Sequence, residues 1–176
     1  MAKIREHKGI ITSESPDIHW GFLNVRDKVV LDMGCGINSE FTPTPVYFLQ
    51  ERKASKVIGI DGNPQSYEWF NKNYNVHHFI CHMDMIDRYE KFITYMDYYK
   101  PQVMKIDIEG SEVLMNAIEY HYFDGIDEIA CEYHNLACLI SMEHIFENNN
   151  YEVDYYKFDH IDITHQGVIH GKKIKE

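Results

Sequence analysis

The segment Val29-Val-Leu-Asp-Met-Gly-Cys-Gly36 restricts the fold of this chain more than any other. Its first five residues are mostly apolar or β-branched, which is typical of a buried strand. Two glycines follow, and glycine allows a tight turn and a close approach of the backbone to a ligand. This pattern predicts an α/β sheet with a binding site at the carboxyl ends of its strands.

The rest of the chain alternates strand-like and helix-like patterns, as a doubly wound parallel sheet requires. We therefore expect an α/β, Rossmann-like, mostly parallel sheet of seven strands. The candidate strands are Val29–Met33, Lys56–Ile60, Val76–His82, Gln102–Ile108, Asp127–Tyr133, Tyr151–Phe158 and Gly167–Gly171. The candidate helices are Val46–Lys53, Gln65–Tyr74, Ile86–Tyr99, Ser111–Tyr122 and Leu136–Asn148. Thr44-Pro45 and Asn63-Pro64 predict the N-caps of the first two helices.

The two ends of the chain depart from this alternation. Residues 159–166 are too few and too polar for a crossover helix, so the last two strands are expected to form an antiparallel hairpin. Residues 1–28 precede the first strand, and Trp20 and Phe22 indicate that they pack on something. The predicted organisation is an N-terminal extension (1–28) that packs on one domain (29–176).

The net charge, the cysteines and the apolar runs of the chain indicate which partners and which cellular location to expect. The 176 residues include 17 Lys and Arg against 28 Asp and Glu, a formal charge of −11. This balance opposes sequence-independent binding to nucleic acid, which depends on basic residues that neutralise phosphates. The four cysteines have no C-x-x-C spacing, which disfavours a zinc knuckle or a thioredoxin motif. Three of them lie in apolar runs, and we expect reduced thiols and a cytoplasmic protein. There is no signal-peptide stretch and no apolar run of the roughly 20 residues that cross a bilayer, so no membrane association is expected.

The first strand and its turn are the first part of a predicted cofactor site. Gly34, Gly36 and Asn38 would form the cradle, and Asp32 would accept a hydrogen bond, directly or through water, from the ammonium group of a methionine moiety. A tight turn without a ligand remains the alternative, because a pair of glycines is a weak signal.

The second strand ends in Asp61, an acidic residue placed to bind both ribose hydroxyls. Gly62 and Asn63 follow it and belong to the same predicted set. A nicotinamide dinucleotide site uses an acidic residue in the same way, but its glycine fingerprint would require Gly where this chain has Ser39. The predicted cofactor is therefore S-adenosylmethionine.

The third strand supplies the adenine end of the predicted site. Asp84 would accept from the adenine amino group, and Met85 would cover the ring. An acidic residue in a surface loop is an equally good reading of Asp84.

Acidic side chains gather where the fourth and fifth predicted strands end. Asp107 and Glu109 lie at the end of one strand, and Glu132 and His134 at the end of the other. Residues two apart on a strand share a face, and parallel strands end at the same edge, so the four are expected to converge as catalytic residues. Glu109-Gly110 equally fits a turn, and Glu112 is read as an acid in the first turn of a helix, favoured by the helix dipole.

The run Lys105-Ile-Asp-Ile-Glu-Gly-Ser-Glu112, with Glu132-Tyr-His134 after it, resembles the FkbM family of class I methyltransferases. The resemblance extends over residues 29 to 158. It implies the class I fold, S-adenosylmethionine as the cofactor and methyl transfer to oxygen, often to a hydroxyl of a sugar or polyketide.

Methyl transfer to a hydroxyl benefits from a base or a metal, because the pKa of a hydroxyl is high. His134 and Glu109 are the candidate bases. Asp107, Glu132 and His134 are candidate ligands of a divalent ion, and a set rich in oxygen favours Mg²⁺ or Mn²⁺ over Zn²⁺. Some of these acids would alternatively only pair with Lys105 or cap the next helix.

Three functions remain open at this point. The first is an O-methyltransferase that acts on a small molecule or glycan. The second is a nucleic-acid or protein methyltransferase, which the net charge disfavours, as does the lack of an Asn/Asp-Pro-Pro-aromatic loop after the fourth strand. The third is a protein that binds S-adenosylmethionine without catalysis.

Overall fold

The computed structural model describes residues 9–11, 16–37, 41–74, 78–84, 89–158, 162 and 165–175. The strands are β1 (Gly9–Ile11), β2 (Val29–Met33), β3 (Lys56–Asp61), β4 (Phe79–Met83), β5 (Val103–Ile106), β6 (Glu128–Tyr133), β7 (Tyr151–Phe158) and β8 (Gly167–Lys173). The α-helices are α1 (Pro16–His19), α2 (Thr44–Gln50), α3 (Pro64–Asn73), α4 (Tyr89–Tyr99) and α5 (Leu136–Asn148), and two 3₁₀ helices span Ser111–Ala117 and Tyr120–Phe123.

The strands form one sheet in the order β1-β7-β8-β6-β5-β2-β3-β4. Within the described residues, β8 runs antiparallel to both of its neighbours, and all other neighbouring pairs are parallel. The predicted Rossmann-like, mostly parallel sheet with its C-terminal antiparallel pair is therefore confirmed. All seven predicted strands are present, with ends that differ by a few residues. The short edge strand β1, which pairs with β7, was not predicted.

Two apolar cores cover the two faces of the sheet because side chains alternate along each strand. Leu31 and Ile58 face a core completed by α4, α5 and the first 3₁₀ helix. Val30 and Val57 face the opposite core, which is completed by α2 and α3. Helices on both faces make the sheet doubly wound, as predicted.

Residues between 16 and 28 contribute to the second of these cores. Trp20, Leu23 and Val25 are buried in it. Arg52 fixes this segment, since its guanidinium donates to the carbonyl oxygens of Gly21 and of Leu23, the latter at 2.9 Å. The proposed boundary between an extension and a domain at residue 29 stays a prediction.

The predicted α-helix over Ser111–Tyr122 is wrong. The chain forms two 3₁₀ helices there, and Ile118 between them is extended (φ −91°, ψ 130°). Within the first of them, Glu112 and Met115 are buried three residues apart, the repeat of a 3₁₀ helix rather than of an α-helix. The apolar stripe was correctly detected, but its period was misassigned.

One of the two predicted N-caps is present. The Asn63 side chain accepts a hydrogen bond from the backbone N–H of Gln65 at 3.0 Å, which caps α3 as predicted. Thr44 is not the cap of α2, because it is already the first helical residue and Pro43 precedes it. Val76 and Ile86, the predicted starts of a strand and a helix, lie outside the described residues. No described helix is both long enough and apolar enough to cross a membrane.

Candidate active site

The strand order reverses between β2 and β5, since the chain winds from β2 to β4 on one side and through β5 to β6 on the other. Ligands of open α/β sheets bind beyond the carboxyl ends of the strands at such a switch point. Gly34 lies there with φ +74°, and a Cβ atom at this position would be 1.6 Å from the carbonyl oxygen of Asp107. The turn after β2 therefore packs directly against the end of β5, which only glycine allows.

Beneath this turn, Lys105 of β5 and Asp32 of β2 form a buried ion pair, with 3.1 Å between Nζ and Oδ1. Lys105 Nζ also donates to the Gly34 carbonyl oxygen at 2.7 Å and lies 3.4 Å from Asp107 Oδ2. The indole of Trp20 is 5.3 Å from the same nitrogen. Asp32, predicted to face the cofactor, has no exposed surface and neutralises Lys105 inside the protein.

The ionisation of this pair follows from its surroundings. Burial raises the pKa of Asp32 to about 6, against the opposing effect of Lys105, so the carboxylate is still largely ionised at pH 7. Burial lowers the pKa of Lys105, but Asp32 and Asp107 raise it more, and the net pKa lies above its ordinary value. A Lys within the apolar run of β5 was the sequence signal for this role, although the sequence alone indicated it only as an alternative partner of the acids.

Asp61 brings the end of β3 to the same place. Its Oδ1 accepts from the backbone N–H of Asn63 at 2.6 Å, and its Oδ2 is 3.5 Å from the position that a Cβ of Gly36 would occupy. Half-burial raises the pKa of Asp61 above its ordinary value. Gly62 and Asn63 are exposed beside it. The predicted ribose-binding residue and the glycine turn are thus neighbours in space.

Asp84, at the end of β4, is attached to this group through its backbone N–H, which donates to the Asp61 carbonyl oxygen at 3.0 Å. Its carboxylate accepts from Lys91 Nζ at 2.6 Å and from the Tyr95 hydroxyl at 2.9 Å. These bonds tie Asp84 to α4, so an adenine amino group would share an oxygen with them. Met85 and Asn38 lie outside the described residues.

The acidic cluster lies at the carboxyl ends of β5 and β6, next to the turn. Ligand atoms of Asp107, Glu132 and His134 all lie within 4.8 Å of one another. His134 Nε2 is 3.9 Å from Asp107 Oδ1, 3.6 Å from Glu132 Oε1 and 3.5 Å from Glu109 Oε2. Glu109 is the most exposed of these carboxylates, with 87% of its side-chain surface accessible. The four predicted catalytic residues are therefore brought together.

Glu112 orients His134 within this cluster. It is fully buried, and its Oε1 lies 3.2 Å from His134 Nδ1. The same oxygen accepts from the backbone N–H groups of Ile108 at 2.9 Å and Gly110 at 3.3 Å. Glu112 is in the first turn of the first 3₁₀ helix, as predicted, and the contact with His134 is an additional role. A carboxylate on Nδ1 leaves Nε2 directed at Asp107 and Glu132, as in many metal sites that contain His.

The carboxylates around His134 also set its protonation. The hydrogen bond to Glu112 and the charges of Glu112, Glu132 and Asp107 raise the pKa of His134 to about 9, although burial opposes them. His134 is consequently protonated at pH 7 in this arrangement and has no free lone pair with which to act as a base. A cation bound at Nε2 would take the place of that proton.

Two residues far away in the sequence hold Glu132. His19 Nε2 is 3.2 Å from Glu132 Oε2, and Gln166 donates to Glu132 Oε1 at 2.8 Å. The His19 ring stacks on Trp20 with 4.2 Å between ring centroids. Burial raises the pKa of Glu132, but the bonds from His19 and Gln166 lower it below its ordinary value. No sequence spacing links these residues to Glu132, so the sequence analysis did not find them.

The sequence matches no family model and no curated protein. It is similar in structure to TrmK from M. capricolum, solved with the natural cofactor product S-adenosyl-homocysteine (13% identity, TM-score 0.58, 88% of this chain and 66% of that one). The Methanococcus jannaschii fibrillarin pre-rRNA processing protein gives 13% identity, TM-score 0.57 and coverage of 88% and 70%. Precorrin-6y C5,15-methyltransferase from Geobacter metallireducens GS-15 has 15% identity and a TM-score of 0.53, and the match covers 85% of this chain and 81% of that one. At these identities the comparisons show a shared Rossmann-like fold.

Proposed function

We propose that this protein is an S-adenosylmethionine-dependent methyltransferase of the FkbM type that methylates a hydroxyl group of a small molecule or glycan. The observation that carries the proposal is the position of the cluster Asp107–Glu132–His134 directly beside the glycine turn at the switch point. A nucleoside site and a proton-handling site then share one crevice. The fold shared with methyltransferases supports the cofactor, and the free cysteines favour a cytoplasmic setting.

The proposed cofactor lies along the ends of β2, β3 and β4. The turn binds its methionine end, Asp61 binds the ribose hydroxyls, and Asp84 lies near the adenine. The proposed binding residues are Asp32, Gly34, Gly36, Asn38, Asp61, Gly62, Asn63, Asp84 and Met85. Asp32 acts from beneath, because its buried pair with Lys105 holds the Gly34 carbonyl in place.

The reaction is an in-line displacement at the sulfonium methyl group, so the protein aligns the acceptor and removes its proton. Glu109 is the base that the geometry favours, since it is exposed and ionisable while His134 holds a proton. The protonated His134 then stabilises the carboxylates around it.

Asp107, Glu132 and His134 also have the donor types that a Mg²⁺ or Mn²⁺ ion requires: two carboxylates and one imidazole nitrogen whose partner nitrogen faces Glu112. A bound ion would lower the pKa of an acceptor hydroxyl in contact with it. Calorimetry with MnCl₂ on the wild type and on the His134→Ala variant tests this site without an acceptor. Equal heats of binding in the two proteins would remove His134 from the ligand set.

The cofactor is tested by calorimetry with S-adenosylhomocysteine. Asp61→Ala is expected to weaken binding by roughly 1–3 kcal/mol, the range for an unpaired buried polar group. Asp97→Ala is the matched control, because Asp97 pairs only with Lys100 on the exposed face of α4 among the contacts described. Unchanged affinity in Asp61→Ala would exclude the ribose role.

The acceptor is tested by transfer of a labelled methyl group to a panel of sugars and phenols and to tRNA and rRNA transcripts. Transfer to a hydroxyl compound that falls in His134→Ala, with cofactor affinity retained, is the expected result. TrmK and fibrillarin make methylation of nucleic acid the second candidate, although the charge of −11 disfavours it. Transfer only to RNA would replace the first candidate by the second, and cofactor binding without transfer would favour a non-catalytic protein.

A further inference from the structure

Two cysteines lie side by side beneath the proposed cofactor turn. Cys35 stands between Gly34 and Gly36 in the turn and is buried, whereas Cys81 is on β4 and is half-buried. Both side chains pack against the same apolar core, on the same face of the sheet. They are the thiols of two segments that are far apart in sequence but are both part of the proposed nucleoside site.

Gly59 of β3 makes their contact possible. β3 lies between β2 and β4, and Gly59 is the register partner of Cys81. A Cβ atom at Gly59 would be 2.7 Å from Cys35 Sγ, so the sulfur of Cys35 occupies the space that any other residue would fill. Cys81 is beside Gly59 on the neighbouring strand, so the two thiols are near enough for each to shift the pKa of the other.

The two thiols differ in accessibility and acidity. Cys81 is partly exposed, and the hydrogen bond from Cys35 lowers its pKa below the ordinary value. The same contact and burial raise the pKa of Cys35. A partly exposed thiol with a lowered pKa is the one that reacts first with an oxidant, and a buried thiol in contact with it is placed to resolve the product.

We propose that Cys35 and Cys81 are a reversible modification site, in which a small-molecule disulfide such as oxidised glutathione converts the two thiols into an intramolecular disulfide that weakens cofactor binding. The effect on the cofactor rests on the function proposed above. The formation of the disulfide does not.

The chemistry consists of two thiol–disulfide exchanges. The Cys81 thiolate attacks one sulfur of oxidised glutathione, forms a mixed disulfide and releases one glutathione thiolate. Cys35 then attacks the Cys81 sulfur, and its proton passes to the second glutathione, which leaves as a thiol. Two protein thiols are oxidised to one disulfide, and one molecule of oxidised glutathione is reduced to two thiols.

The disulfide would change the shape of the turn. A disulfide holds its sulfur atoms about 2.05 Å apart, closer than any two sulfur atoms that are not bonded, so Cys35 must move toward β4. Gly34 and Gly36 flank Cys35 and would move with it. Gly34 packs so closely on the Asp107 carbonyl that a Cβ atom would not fit between them, so this movement would disturb the contact. The position of the turn relative to Asp61 would therefore change.

The first experiment maps the cross-link. The full chain is incubated with oxidised glutathione, its remaining thiols are alkylated, and peptides are analysed without reduction. The expected product is a linked pair of peptides that contain Cys35 and Cys81, lighter by two hydrogens. Cys138→Ser should retain it, and Cys35→Ser should leave Cys81 as a stable mixed disulfide. Two free thiols in the folded protein, or separate mixed disulfides on Cys35 and Cys81, would overturn the proposal.

The second experiment measures S-adenosylhomocysteine affinity before oxidation, after it and after dithiothreitol. A loss of about tenfold or more that dithiothreitol reverses is expected, and Cys81→Ser should show no oxidant response. A cross-linked protein with undiminished affinity would overturn the inhibitory effect. A reduced protein that never binds the cofactor would overturn the proposed function and this effect together, and the peptide map would still decide whether the disulfide forms.

Discussion

Replacing Gly34 by Ala tests whether the contact between the glycine turn and β5 is essential to the fold. Gly110 provides a matched comparison, because it also has a positive φ (+92°), but a Cβ atom added there would have no other atom within 4 Å. Both substitutions place a side chain in the left-handed region, which costs roughly 1–2 kcal/mol. Only Gly34→Ala adds a steric conflict, 1.6 Å from the Asp107 carbonyl oxygen.

The extra cost of Gly34→Ala follows from the bonds that must break when the two segments separate. The bonds between the Gly34 N–H and the Ile60 carbonyl (2.8 Å) and between the Asp107 N–H and the Met33 carbonyl (3.0 Å) are neutral. The bond from Lys105 to the Gly34 carbonyl is charged. A neutral bond contributes about 1 kcal/mol and a charged bond about 1.5–3 kcal/mol. We therefore expect Gly34→Ala to lose about 3–5 kcal/mol more than Gly110→Ala.

The assay is urea denaturation followed by far-UV circular dichroism on both variants and the wild type. Domains have a free energy of unfolding of only about 5–15 kcal/mol, so the expected loss of stability should lower the urea concentration at the midpoint substantially. Equal losses in the two variants, within about 0.5 kcal/mol, would show that the turn can move away from Asp107 freely. The structural basis proposed here for the cofactor cradle would then be wrong.

Three further predictions concern ionised and capping groups. The folded pKa of His134 (about 9) exceeds its ordinary 6.5, so its contribution to stability is complete below pH 6.5 and is lost as the pH rises through 9. Without divalent ions, chemical denaturation of the wild type should show that the free energy of unfolding falls by about 3 kcal/mol over this range. A similar fall in Glu112→Gln would contradict the hydrogen-bond cause. Lys105→Met should cost about 3–5 kcal/mol in urea denaturation because Asp32 stays buried without its cation, and Asp32→Asn in the same background should recover part of the loss. Asn63→Ala should destabilise the protein by about 1 kcal/mol through loss of the α3 cap, and no change in the denaturation midpoint would count against that cap.

The sheet was predictable because each strand of a parallel sheet is buried on both faces and appears in the sequence as a short apolar run. The strand β1 was not predicted because it has three residues and depends on pairing with β7 rather than on local preference. The predicted helix Ser111–Tyr122 was misassigned because burial three residues apart also fits part of an α-helical stripe.

The acidic cluster was predictable for a topological reason. Asp107 and His134 follow strands that pair in parallel, so their approach needed no knowledge of tertiary structure. His19 and Gln166 are different, because they reach Glu132 only through the packing of segments at the two ends of the chain. Pairing of Lys105 with nearby acids was foreseen as an alternative, but its buried partner Asp32 on β2 was not, because the sequence assigned Asp32 to the cofactor.

Lys105 contacts the Gly34 carbonyl on one side and the Asp107 carboxylate on the other. A single ammonium group therefore bridges the two halves of the proposed site, the glycine turn on one side and the acidic cluster on the other. Two molecules that occupy those halves would each bias the same link, and their affinities would be reciprocally coupled. Such a protein would bind its second ligand with an affinity that depends on the first, even if the two never touched.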